Sequence, residues 1–144
     1  METETMGKVL VAAKIDNLED LYAVNLGVLA LSQVRSIEVD DALVDTGASG
    51  LMVPARFIAQ LGLRPYRMRQ ARTAAGIITL QVYGAVRLTI QGRDVICDAT
   101  EVSDDLPVLI GQIPLEGLDF VVDPHGQRLI GNPEHGGQHM IDVF

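Results

Sequence analysis

Short apolar runs, broken by Gly, Pro, Asn and Asp, follow one another along most of the chain. That texture belongs to strands joined by tight turns and predicts an all-β protein. Residues 8–15, rich in Val and Ala, read as a first strand, and residues 21–26 as a second. Residues 29–35 are a mixed connector with room for one helical turn. Apolar runs 37–39 and 42–44 flank Asp40-Asp41, which reads as a turn or bulge. A further run, Leu51-Met52-Val53, leads to Pro54, which opens the clearest helix. Phe57, Ile58 and Leu61 share a face at helical spacing, and Gly62 is placed to close the helix in a left-handed conformation.

The second half reads the same way. Residues 73–84 and 85–90 are expected as the two strands of a hairpin, with Ala74, Ala75 and Gly76 near its tip. Residues 94–102 form another strand, 107–111 a buried apolar strand ending in Gly, and 114–118 a single helical turn. Residues 120–122 and 128–130 flank Asp123-Pro124-His125-Gly126, a turn signal that predicts a second hairpin. Beyond Gly131 the chain is rich in Gly, His and Pro, and reads as irregular up to residues 141–144.

Composition narrows the possibilities. With 144 residues, 48% hydrophobic and 21% charged, the chain suits one domain spanning residues 1–144. The net charge of −8 argues against a nucleic-acid groove. A single cysteine, Cys97, excludes an internal disulfide, fits a reducing compartment and reads as a small core residue in a strand. Residues 1–6 are acidic and polar, unlike a signal peptide. The longest apolar stretch, 21–31, is shorter than the roughly 20 residues a membrane helix needs. No membrane partner is expected, and the expected location is the cytoplasm. Arg64, Arg67, Arg69 and Arg72 crowd one segment. They read as a solvated edge strand or loop, with attraction for acidic substrate segments as the functional alternative.

One run carries chemistry: Ala42-Leu43-Val44-Asp45-Thr46-Gly47-Ala48-Ser49-Gly50. An acid that follows three apolar residues is costly to bury unless donors meet it. The small residues after Asp45 let backbone N–H groups approach its carboxylate, and Gly47 permits a tight turn. A bare Asp-Thr-Gly also occurs in plain β-turns. The preceding apolar strand and the following Ser-Gly-Leu-Met-Val-Pro set this one apart.

Downstream lie Val108-Leu109-Ile110-Gly111 and the 114–118 turn. This order of parts resembles the retropepsin-like aspartic peptidases, and most closely their small bacterial members. There too the tail carries Leu-Ile-Gly, Pro-Leu-Glu, Val-Asp-Pro and Asn-Pro, as at 109–111, 114–116, 122–124 and 132–133. The resemblance covers residues 8–131 and implies a closed-barrel-like all-β fold with one or two short helices. It implies peptide hydrolysis by a water activated between two carboxylates that share one proton, with no cofactor and no metal. The chain has one Asp-Thr-Gly, so the second Asp45 would come from an identical chain in a two-fold homodimer. By the same resemblance Thr46 locks the paired loops, the Gly47 N–H orients the carboxylate, and Ala48, Ala74, Ala75, Gly76, Ile77 and Ile78 contact substrate, the last five as a flap tip. The chain departs from viral members in its longer N-terminal segment and in the hairpin after Leu118.

Other chemistries are weaker. His135 and His139 are separated by Gly136 and Gly137, which argue against a helix offering both to zinc; an exposed polar tail is the expectation. Ser49 lacks a recognisable histidine partner in sequence. The alternative function is a catalytically silent peptide-binding or dimerisation module on the same fold. A domain cut from a longer polyprotein is a third reading, disfavoured by Met1 and the lack of a linker.

Overall fold

The computed structural model describes residues 8–123 and 125–143. The acidic segment 1–6, Pro124 and Phe144 lie outside the described residues, so the expectations placed on them have no structural counterpart here.

Strand β1 (Val9–Asn17) alternates inward Val9, Val11, Ala13 and Ile15 with exposed neighbours. It pairs antiparallel with β2 (Ser36–Val44), where Val11 faces Ala42 and Ala13 faces Val39. Asp40 and Asp41 therefore oppose the single residue Ala12, a bulge within one continuous strand. Next come β3 (Leu51–Pro54) and a helix over Ala55–Leu61 that ends at Gly62 with φ 61°. Strands β4 (Arg64–Thr73), β5 (Gly76–Ile90) and β6 (Arg93–Val102) follow, then the two-residue β7 (Leu109–Ile110) and a helix over Gln112–Leu118. A separate hairpin pairs β8 (Phe120–Asp123) with β9 (Arg128–Gly131).

The main sheet runs β1-β2-β7-β3-β6-β5-β4, and β1 also pairs with β5. That extra pairing closes six strands into a ring and leaves β4 outside it. Ile15, Leu51, Val53, Val86, Leu88, Ile90, Ala99 and Ile110 fill the ring, each no more than 1% exposed. Buried Asp16 reinforces the closure: it accepts from Arg87 Nη2 on β5 at 3.0 Å and from Ser36 Oγ on β2.

Three expectations are corrected. Residues 21–25 are not a strand but the later part of a helix over Leu18–Asn25, with Leu26 as its cap, which makes three short α-helices among the described residues. Asn17 decides this locally. Its Oδ1 accepts from Asp20 N at 3.1 Å, its Nδ2 donates to Leu61 O at 2.9 Å, and Glu19 and Asp20 place negative charge in the first turn. In order, these helices are α1 (Leu18–Asn25), α2 (Ala55–Leu61) and α3 (Gln112–Leu118).

Secondly, residues 73–84 and 85–90 are not two strands of a hairpin. Residues 76–90 form one 15-residue strand while Thr73 ends β4, and the apparent break at Gly84-Ala85 is a bulge, where the register with β6 shifts between Tyr83 and Val86. The hairpin partner is the arginine-rich β4, turning at Ala74 and Ala75. The edge-strand reading of the arginines is correct, and exposed charge on an edge discourages pairing with other chains.

Thirdly, the tail after Gly131 is not simply an exposed polar segment. Asp119, at a left-handed φ of 59°, accepts from Met140 N at 3.1 Å and from Asn132 Nδ2 at 3.2 Å. His135 Nδ1 lies 2.7 Å from its Oδ2. Arg93 ties the same region down, donating to Asp119 O and to Gly137 O.

Candidate active site

Strand β2 delivers Asp45 at its end, and β3 begins at Leu51. The intervening loop wraps around β7. Leu43 pairs with Leu109 in parallel, and Met52 pairs with the same Leu109 in antiparallel. Asp45 N donates to Ile110 O at 2.9 Å, and Ala48 N closes the turn on Asp45 O at 3.0 Å. From the far side Gly111 N, Gln112 N and Ile113 N each donate at 2.9 Å to Gly50 O, Ala48 O and Ser49 O. The start of α3 thereby satisfies three carbonyls of the Asp45 loop and fixes its shape.

Gly111 makes this threading possible. A Cβ there would lie 2.5 Å from Gly50 O and 2.7 Å from Ala48 O. No side chain fits, although the Gly111 backbone is extended and free of positive φ.

The Asp45 carboxylate is half-buried, and its Oδ1 accepts from Gly47 N at 3.1 Å. A Cβ on Gly47 would stand 3.3 Å from that same oxygen, so glycine suits the approach. Thr46 is exposed beside it, and its hydroxyl has no partner among the described residues.

A cleft of about 520 Å³ opens over Asp45, between its loop and the β4–β5 hairpin. Met52, Ile78, Leu80, Val102, Leu106 and Leu109 make its walls largely apolar. Asp45 is the one carboxylate on this lining among the described residues. The cleft continues past Gly47 and Ala48 into a second chamber of about 370 Å³, bounded by Arg69, Arg72, Asp98 and Thr100.

Of the residues expected from sequence, Asp45, Gly47, Ala48 and Ile78 come together on the cleft lining. Ala74, Ala75, Gly76 and Ile77 do not; they sit at the exposed hairpin tip beyond it. At the tip Thr73 Oγ1 accepts from Ala75 N and donates to Gly76 O, while Gly76 takes φ 120°. Sequence reasoning missed Met52, Ala71, Leu80, Val102 and Leu106. The period-two alternation of β5, Ile78 and Leu80, was the available signal.

No histidine lines either chamber beside Ser49. No group of three or more metal-ligating side chains occurs among the described residues. Burial, with the nearby Asp98 charge, pushes the Cys97 thiol up to about 12, leaving it a poor nucleophile. A wider depression of about 700 Å³ lies elsewhere, beside Asp16 and Arg87, which pair with one another. No helix among the described residues is long and apolar enough to cross a membrane.

No curated protein matches the chain. The family model described as aspartyl protease matches residues 32–122, which run from before β2 through the Asp45 loop, the hairpin, β7 and α3. That span is well over half of the chain, and the chain belongs to the aspartyl protease family, of the retropepsin-like kind.

Proposed function

We propose that the protein is an aspartic endopeptidase whose active site forms between two copies of the chain, each contributing Asp45. One observation carries the reading. A lone carboxylate stands on the lining of an apolar cleft, on a loop held rigid by β7 and α3. Peptide hydrolysis by carboxylates needs two of them, one to take a proton from water and one to protonate the carbonyl. The exposed Thr46 hydroxyl, unpartnered within the described chain, supplies a contact for a symmetry mate across a two-fold axis.

In this arrangement the Gly47 N–H orients the Asp45 carboxylate, and Ala48 leaves room beside it for the substrate backbone. The β4–β5 hairpin covers the bound peptide, with Ile78 on the covering face and Ala74, Ala75, Gly76 and Ile77 at the flap tip. Closure would exclude water from the reacting carbonyl.

The test is Asp45→Asn. The amide is close to isosteric and removes charge repulsion at the interface, so the variant should fold and dimerise while losing peptide cleavage. Full cleavage by the purified variant would reject the assignment.

A further inference from the structure

We infer that the chamber beyond Ala48 is an acidic-residue subsite, so that preferred substrates carry a Glu or Asp within a few residues of the apolar side chain seated over Asp45. This rests on the reading of the cleft as a peptide site.

Register fixes which side chains face the cleft. On the hairpin Arg69 pairs with Leu80 and Ala71 with Ile78, and directly opposed residues share a face. Leu80, Ala71 and Ile78 all line the cleft, and Arg69 stands on the same face one alternation further out. Arg72 also borders both chambers, although by the same alternation it belongs to the opposite face of the strand, paired with Ile77. Across from them β6 presents Asp98, Thr100 and Val102 at alternate positions, polar at the outer end and apolar toward Asp45. The cleft is thus graded, apolar at the carboxylate and cationic beyond it. An extended peptide reads such a gradient directly, because alternate side chains fall on one side.

The two arginines are available. Neither Arg69 nor Arg72 makes an ion pair among the described residues, whereas Arg35, Arg56, Arg64, Arg87 and Arg128 each pair with a carboxylate. Asp98 lies in the same chamber without bridging to either. The residues bordering this chamber include two arginines, Arg69 on the cleft face and Arg72 beside it, against one aspartate, an excess of positive charge on a chain whose net charge is −8. A planar guanidinium is also the group best shaped to take a carboxylate in two parallel hydrogen bonds.

The experiment uses the full chain and quenched-fluorescent peptides with one apolar residue at the cut and Glu, Gln or Lys scanned through the flanking positions. At one position the wild type should favour Glu over Gln by about 1.5- to fivefold in kcat/KM at low salt, the range expected for exposed ion pairs. The preference should shrink as salt rises. Arg69→Ala with Arg72→Ala should bring the Glu-to-Gln ratio to one, Arg69→Glu should shift it toward Lys, and Asp98→Asn should enlarge it. A wild type indifferent to Glu at every position, or a ratio that survives the double substitution, would overturn the inference. The same peptides, fluorescein-labelled, are bound to Asp45→Asn protein and read by anisotropy. An acidic preference in binding without cleavage by the wild type would sink the hydrolysis and keep the subsite. Cleavage without any acidic preference would do the reverse.

Discussion

Gly111→Ala is the sharpest test of how the Asp45 loop is held. The added methyl would sit 2.5 Å from Gly50 O, so that oxygen must retreat by about 0.9 Å to reach ordinary contact at 3.4 Å. Ala48 O and the Ser49 carbonyl carbon, both 2.7 Å away, block the sideways escape. All three obstacles are backbone, so no rotamer change relieves them. Overpacking of this kind costs about 1–3 kcal/mol. Moving the loop instead strains the bonds from Gly111, Gln112 and Ile113, each worth about 0.5–1.5 kcal/mol. The chain adopts the cheaper relief, which leaves a destabilisation of about 1–3 kcal/mol and a Tm lower by roughly 3–10 °C at this size. Activity should fall further than stability, because a displacement near 1 Å at a reacting group can cost about 100-fold. Gly50→Ala is the internal control: a Cβ there meets nothing within 4 Å and the residue has no positive φ. It should keep Tm within about 2 °C, or raise it slightly by narrowing the unfolded ensemble. Thermal unfolding and kcat/KM on one peptide read both variants. A Gly111→Ala protein as stable and active as Gly50→Ala would refute the threading argument.

Mixing wild-type chains with Asp45→Asn chains should depress activity beyond simple dilution, and wild-type specific activity should fall on dilution below the dimer dissociation constant; an active monomer in the ultracentrifuge contradicts both. Asn17→Ala removes the α1 cap and leaves Leu61 O without its donor, so urea unfolding should show a loss of about 2–3 kcal/mol. The hydrogen bond and charge of Asp119 raise the His135 pKa above 6.5, and the hydrogen bond from His135 holds the Asp119 carboxyl below its usual range. The tail's attachment is therefore complete below pH 6.5 and is lost as pH climbs through His135's raised value. On the acid side it is lost as pH falls below 3.8 through Asp119's lowered value. An NMR titration of His135 with a midpoint at or below 6.5 would refute this pairing.

The Asp45 loop was legible in the sequence because every local cue agreed: an apolar strand, an acid, small residues, a second apolar strand. The helix from Pro54 to Gly62 was legible for the same reason. Elsewhere local cues misled because distant partners overruled them. Leu21 to Leu26 carries strand-like apolar residues, yet Asn17 caps a helix there and Arg35 holds Asp20 in place with three hydrogen bonds. Gly84-Ala85 resembles a turn, but the strand absorbs the extra residue as a bulge because β6 pairs on both sides of it. The order of His135 depends on Asp119, a partner whose left-handed backbone no pattern in the tail announces. Asp45 itself could be named from one chain's sequence, whereas Met52, Leu80 and Leu106 become neighbours only when the ring closes.

One unbroken strand, β5, serves both as a stave of the barrel and as half of the covering hairpin. Its residues from Gly76 to Gly84 pair with β4, and those from Val86 to Thr89 pair with β1. No linker separates the hairpin from the scaffold, so, if the hairpin covers substrate as proposed, it would bend as a cantilever anchored in the core rather than swing as a door on a loop hinge. The Gly84-Ala85 bulge is the one place where the β5 register with β6 shifts, between Tyr83 and Val86. Under the proposed function, stiffening that joint would slow closure from a position outside the cleft lining.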